Sequence, residues 1–261
     1  MSGLIQTFEH GSLRELRLSR PPVNALDIGL CRALIAAMDA AVADDVDGVL
    51  LSGEGPLFSA GIDVPHLLAH GDDRAALTDG WLGFLGAVRA LGHSRVPVAV
   101  ALTGHVPAGG CVLALCCDYR VMTRSSDPSR PNSIGLNEVR VGLAVPEGIQ
   151  RLLRRVVGPH TAERMLVTGA MVGEQEALRI GLVDELVDPG LAAAHALDWL
   201  QSLQSLPRQP FRQTRMLARA DLEQALATEH LDLQRMIDAW YTPDTQAALH
   251  ALVAKLGRKP A

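Results

Sequence analysis

Aromatic residues are nearly missing from this chain, with four Phe, three Trp and two Tyr among 261 residues. So few flat side chains leave little from which to build base-stacking platforms for single-stranded nucleic acid. A long basic run is absent too, and the formal net charge is −5; surfaces for phosphate backbones or acidic membranes are therefore not favoured. No apolar stretch reaches the ~20 residues that a bilayer-spanning helix needs. The amino terminus carries neither an apolar signal core nor an Arg-rich transit peptide. The carboxyl-terminal GRKPA is not a peroxisomal tripeptide signal. The four cysteines, Cys31, Cys111, Cys116 and Cys117, form no CxxC pair, which disfavours a zinc or redox site. Their apolar neighbours point to buried, reduced thiols and a cytoplasmic setting.

Apolar residues make up 48 % of the chain, enough for one large domain or a domain with a helical extension. The stretch Ala101 to Tyr119, ALTGHVPAGGCVLALCCDY, stands out. It follows the β-branched run Val96 to Leu102, which reads as a buried strand. Gly104, Pro107, Gly109 and Gly110 then break regular structure, and Cys111 to Cys117 reads as a buried helix. The first N–H groups of such a helix lack intrahelical partners and carry partial positive charge. Two readings stand side by side: a tight turn whose glycines serve packing, or a backbone cradle for an oxyanion.

In chain order, Leu4 to Glu9 and Ser12 to Leu18 flank His10-Gly11 as a hairpin. Arg20 to Leu26 is an extended loop around two prolines. Asp27 caps a helix with Cys31, Leu34, Ile35, Met38, Ala41 and Val42 on one face. Val49 to Leu51 is a short buried strand. Pro56 to Leu68 reads as strand end, turn at Gly61 and short helix, with Ala75 to Leu91 a longer helix. Asp118 to Thr123 is a strand, and Ile134 to Leu143 holds one carboxylate, Glu138, among apolar residues. A helix runs from Pro146 to about Val157, with Gly158 its stop. The strand Leu182 to Val187 follows, and the pattern is helical from Leu191 onward. Strand–helix alternation followed by helices alone gives an α/β core, residues 1–200, and a helical carboxyl-terminal region, 201–261, suited to oligomerisation or a lid.

Four stretches in order carry a resemblance: PPVNAL (Pro21 to Leu26), FSAGID (Phe58 to Asp63), PAGGCVLALCCDYR (Pro107 to Arg120) and IGLNEVRVGL (Ile134 to Leu143). The chain resembles the crotonase, or enoyl-CoA hydratase/isomerase, superfamily over nearly its whole length, and within it the Δ3,Δ2-enoyl-CoA isomerases. The resemblance implies a crotonase-like (ClpP/crotonase) spiral of ββα units with a helical carboxyl-terminal extension. It implies a homotrimer or dimer of trimers acting on an acyl-CoA thioester, with no separate cofactor, since coenzyme A enters as part of the substrate. The backbone N–H groups of Ile62 and Gly109 would form the oxyanion hole. Asn24, Ala25, Leu26, Ala60, Gly61, Asp63, Gly110 and Val112 would line the substrate and coenzyme A site.

The carboxylates separate the activities. Hydratases of the family carry two glutamates, one directly after Gly-Gly-Cys and one matched by Glu138. Here the first position is Val112, which cannot activate water. One carboxylate suffices for a 1,3-proton shift through a thioester enolate, so Glu138 is the expected catalytic base of an isomerase in fatty acid β-oxidation. Leu136, Val139 and Val141 would raise its pKa. Read without the resemblance, Glu138 is a surface glutamate on a loop. Glu147 is the second candidate acid, or a carboxylate that stabilises the start of its helix. Asp63 is expected to cap the helix after its turn. His66 and His105 read as structural, and no metal spacing stands out. The alternatives are an enoyl-CoA hydratase, another acyl-CoA hydrolase or lyase, or a non-catalytic acyl-CoA- or RNA-binding paralogue.

Overall fold

The computed structural model describes residues 3–257; the terminal tripeptide considered as a targeting signal lies outside them. The chain opens with the hairpin β1 (Ile5–His10) and β2 (Leu13–Leu18), followed by α1 (Ile28–Ala43) and β3 (Gly48–Gly53). Then come α2 (Val64–Leu68), α3 (Arg74–Gly92), β4 (Val98–Leu102), β5 (Val106–Pro107), α4 (Gly109–Leu115) and β6 (Tyr119–Thr123). Next are β7 (Ser133–Gly135), a 3-10 turn over Glu138–Val141, α5 (Glu147–Val157), α6 (Pro159–Thr168), β8 (Val172–Gly173), α7 (Glu174–Arg179) and β9 (Glu185–Val187). Helices α8 (Ala192–Leu203), α9 (Arg208–Ala218), α10 (Ala220–Ala225), α11 (Thr228–Leu231), α12 (Leu233–Trp240) and α13 (Pro243–Leu256) complete it.

Six strands form one sheet in the order β1-β2-β3-β4-β6-β9. The β1–β2 pair is antiparallel and the rest are parallel. A parallel sheet must be covered on both faces, and the side-chain sizes in β4 show how. Val98, Val100 and Leu102 enter the large core under α1, α3 and α4. Ala99 and Ala101 face the other way, into a smaller core with Ala192, Ala196 and Leu200 of α8. Small residues let that helix lie close, and the branched ones fill the deeper side; burying one fully contributes roughly 1.5–3 kcal/mol.

Helix α1 forms where the sequence places it. The Asp27 side chain accepts from Leu30 N, and Leu30, Cys31, Leu34, Met38 and Ala41 are buried at helical spacing. A second sheet, β5-β7-β8, is built from strands of two or three residues, too short to leave a periodic signal. The expected strand Leu182 to Val187 is halved. Leu182 N and Val183 N bond back to Ala177 O at 2.8 and 3.2 Å, closing α7, so only Glu185–Val187 pairs with β6.

The division at residue 200 falls inside α8. Leu222, Leu226, Leu231, Ile237, Trp240 and Leu249 share the main core with the strands, so the helical region is packed on the α/β part. An ionic cluster fixes it there. Asp118, just after the buried helix, accepts from Val98 N at 2.8 Å and also from two arginines. Arg215 Nη2 lies 2.7 Å from Oδ2 and Arg219 Nη1 2.9 Å from Oδ1, both guanidiniums being nearly buried.

Removing one partner of a buried ion pair leaves an uncompensated charge, typically at a cost of 3–5 kcal/mol. Asp118→Ala should lower unfolding free energy by about that amount, read from the urea midpoint. A midpoint equal to that of the parent chain would show the cluster to be energetically idle.

Candidate active site

The turn after β3 and the turn before α4 meet. Leu26 forms an isolated parallel bridge with Ile62: Leu26 N donates to Gly61 O at 2.8 Å, and Leu26 O accepts from Asp63 N at 3.1 Å. The residues flanking Ile62 make both bonds, so its own N–H is left over. Gly109 is the first residue of α4, where an N–H has no intrahelical acceptor. Among the described residues no acceptor takes either hydrogen. The two groups are close, for a methyl placed on Gly109 would stand 3.2 Å from Ile62 N. Gly61 has φ +83, a conformation that L side chains rarely adopt, and a methyl there would lie 3.0 Å from Gly109 N.

Ala108, just before Gly109, has φ 45 and ψ −118. A non-glycine residue in such a region costs of order 1–3 kcal/mol and persists only where its surroundings impose it. Here Ala108 N donates to Gly135 O of β7 at 2.9 Å. The small second sheet thus aims the start of α4.

Ile62, Ala108, Gly109 and Glu138 line one cavity of about 1020 Å³. Its apolar lining includes Trp81 and Phe84 from α3 and Leu231, Met236 and Leu252 from the carboxyl-terminal helices. Glu138 Oε2 is shut off from solvent and has no hydrogen-bond partner among the described residues. Burial, the dominant effect, pushes the carboxyl pKa up to about 7, against a smaller lowering by its own backbone. Leu136 is buried and Val141 is on the cavity wall. Val139, expected beside the carboxylate, instead points outward at 41 % exposure. On the inner side lies Cys111, whose thiol is pushed up by burial first and by the charge of Glu138 second.

Of the residues expected to contact substrate, Ala25, Ala60 and Asp63 line the cavity with Ile62 and Gly109. Asn24, Leu26, Gly61, Gly110 and Val112 stand behind the wall. Asn24 is 1 % exposed; its Nδ2 donates to Glu54 O and Phe58 O at 2.9 and 3.0 Å, pinning the proline loop to β3 and its turn. Gly110 backs onto Ser59 O, 2.8 Å from where a Cβ would be. Val112 is wholly inside the main core. Asp63 caps α2 through His66 N at 2.9 Å and pairs with Arg20 at 2.7 Å.

Glu147 is on the cavity wall but is ion-paired with Arg151 at 2.6 Å, with His230 Nδ1 at 3.5 Å. The Arg151 hydrogen bond, first among the causes, holds its pKa below the usual carboxylate range. An anion at neutral pH, it is no proton donor. Sequence reasoning missed Arg20, which bonds Ala25 O at 3.0 Å and Asp27 at 2.9 Å besides Asp63, and so locks the loop to α1 and α2. The inner-wall residues beyond position 230 were missed as well, because an apolar helical face reads the same whether it covers a core or a ligand.

Two backbone N–H groups without acceptors among the described residues and one desolvated carboxyl thus line the same cavity. Residues 9–257 match the Enoyl-CoA hydratase/isomerase family, and the chain belongs to it. It is 30 % identical to the mouse "Enoyl-CoA delta isomerase 1, mitochondrial" over 98 % of this chain and 88 % of the relative. It is 31 % identical to a "Probable enoyl-CoA hydratase" of Rhizobium meliloti (strain 1021), over 97 % and 95 %. The crystal structure of human mitochondrial delta3-delta2-enoyl-CoA isomerase superposes with a TM-score of 0.88 at 26 % identity, covering 97 % of this chain and 98 % of that one. The crotonase fold expected from the motifs is the fold observed. No helix among the described residues is long and apolar enough to cross a membrane.

The raised carboxyl sets a pH dependence of stability. A group whose pKa rises on folding, here from 4.5 to about 7, binds its proton more tightly in the folded chain. The stability it contributes is complete below 4.5 and is lost as pH rises to about 7. Each unit corresponds to about 1.4 kcal/mol, so Glu138→Gln should gain about 3 kcal/mol relative to the parent between pH 4 and pH 8. Urea titrations at the two pH values check this, and parallel stability curves would contradict it.

Proposed function

We propose that the chain is a Δ3,Δ2-enoyl-CoA isomerase of fatty acid β-oxidation, with Glu138 carrying the proton. The carbonyl oxygen of a 3-enoyl thioester accepts hydrogen bonds from Ile62 N and Gly109 N. Glu138 takes a proton from C2, the enolate is held by the two donors, and the carboxyl returns the proton to C4. The double bond then lies between C2 and C3. A carboxyl with pKa near 7 serves in both directions at neutral pH, and each oxyanion donor typically contributes about 3 kcal/mol to the transition state.

The observation that carries this reading is the single unpartnered, desolvated carboxylate, Glu138, with Val112 buried where the resemblance sets a hydratase's other glutamate. The names of the mouse and human relatives support it. The hydratase reading has one observation of its own, the ionised Glu147 on the cavity wall, where it could activate water. The two readings diverge in assay. The parent chain should convert 3-enoyl-CoA to the conjugated 2-enoyl-CoA and hydrate 2-enoyl-CoA only weakly. Glu138→Gln should cut isomerase kcat by ~10² to 10⁴ with acyl-CoA binding retained, and Glu147→Gln should change little. Efficient hydration that disappears in Glu147→Gln would replace the isomerase assignment with the hydratase one.

A trimer-based assembly belongs to the same proposal. Apart from Arg215, α9 packs little of itself into the chain, and Met216 and Leu217 are 55 % and 66 % exposed, as helix surface awaiting another copy would be. Light scattering at micromolar concentration should give three or six copies; a stable monomer would refute the assembly.

A further inference from the structure

Glu138 is carried by a weak element. The 3-10 turn Glu138–Val141 has four residues, none of them buried as a whole residue although the Glu138 carboxyl is shut off from solvent. It is tied to its flanks by Arg140 N to Asn137 O at 3.0 Å, Leu143 N to Glu138 O at 3.0 Å and Gly142 N to Val139 O at a long 3.4 Å. One turn of 3-10 helix has poor hydrogen-bond geometry and does not fix a side chain by itself. Something outside it must set where the carboxylate stands.

Two neighbours hold the turn. On its outer side Arg140 Nε donates to Thr168 O at the end of α6, at 3.0 Å and in solvent. On its other side it is seated on α13. Thr245, 5 % exposed, donates from Oγ1 to Gly142 O at 2.7 Å, and Thr242 Oγ1 donates to Thr245 Oγ1 at 2.9 Å. The approach is close. Gly142 has φ +79, and a methyl there would stand 2.8 Å from Ala248 Cβ and 3.1 Å from Thr245 Cα. The face of α13 that bears Thr245 continues through Leu249, Leu252 and Leu256 at helical spacing. Leu249 is fully buried, and Leu252 and Leu256 reach the cavity wall. One helix therefore touches both the acyl cavity and the turn that bears the carboxylate.

We infer that Thr245 is a positioning residue for the reaction, holding through the Gly142 carbonyl the turn from which Glu138 reaches the substrate. Nothing about Thr245 singles it out in the sequence, since it sits in a helix far along the chain from Glu138. The inference rests on the reading of Glu138 as the proton carrier. Thr245 does not itself touch substrate, so its loss leaves acyl-CoA binding in place and misplaces the carboxylate. Displacements of about 1 Å in a reacting group can cost as much as 10²-fold in rate.

The test uses the full chain with 3-enoyl-CoA. Thr245→Val keeps the shape of the side chain and removes the donor to Gly142 O. We expect kcat to fall about tenfold with KM within twofold of the parent, and Thr245→Ser, which keeps the hydroxyl, to recover most of the loss. Thr245→Ala, which places no branched apolar group against the carbonyl, should show the same kcat-only loss and serves if the Val variant does not fold. An unchanged kcat in the Val or Ala variant, a KM that rises in step with the loss, or a Ser variant as impaired as Val would each overturn the inference. Glu138→Gln assayed alongside separates the two levels. If Glu138→Gln is fully active the proton-carrier reading fails; if it is inactive and Thr245→Val is normal, the positioning role alone fails.

Discussion

The approach of two backbone turns to within van der Waals contact is the constraint on which the site depends. Ile62 N and Gly109 N can face the same point only if the turn after β3 lies against the start of α4, and each neighbour of that contact is arranged to allow it. Gly61 and Gly109 have no side chain to hold the turns apart. Leu26 takes up the hydrogen-bonding groups on both sides of Ile62. Ala108 is held in a strained conformation by a bond from the second sheet. The parallel order β3-β4 fixes the two turns at the same end of adjacent strands, so the sheet supplies the coarse placement and the glycines the fine one.

A carboxylate beside such a cradle meets opposing demands. It must be dry enough to keep a proton near neutral pH and yet remain able to ionise. Desolvation pushes a buried carboxyl upward, by up to about 3–5 units when burial is complete, whereas ion pairing drives it down and makes it a poor acid. Glu138 and Glu147 stand on the same cavity and took opposite courses. Among the described residues Glu138 has no cationic partner and is raised; Glu147 has Arg151 and is lowered. Two glutamates on one wall are thereby different chemical groups, a separation set by their neighbours and not by residue type.

The sequence made legible whatever rests on local chemistry or on an unbroken motif. The Asp27 and Asp63 caps, the buried run of β4 and the glycines of the two turns are each fixed by residues within a few positions, and Glu138 was singled out by its motif. Asn24, Leu26, Gly110 and Val112 were expected at the substrate but lie behind the wall, because a motif records that residues are needed and not which side of a backbone they serve. Val139 was assigned to the carboxylate on sequence adjacency, yet the 3-10 turn rotates it outward. The strands β5 and β8 left no periodicity to read. Asp118 with Arg215 and Arg219 spans about a hundred residues, and no local pattern could join them.

That long-range cluster bears on how the site is completed. The carboxyl-terminal helices supply the inner wall of the cavity, and their placement is a tertiary matter from end to end. Arg215 and Arg219 anchor α9 and the start of α10 to Asp118 below the central strand, and Arg89 Nε reaches Leu226 O at 3.1 Å after α10. From that fixed point α11 and α12 cross the cavity and α13 returns to the turn that bears Glu138. Apolar packing alone is non-directional and would tolerate a helix sliding along its groove, whereas charge-assisted bonds with fixed geometry do not. The helical region is therefore better understood as the far half of the cavity wall than as an appendage, pinned where the α/β part can hold it and reaching back to the turn that bears Glu138.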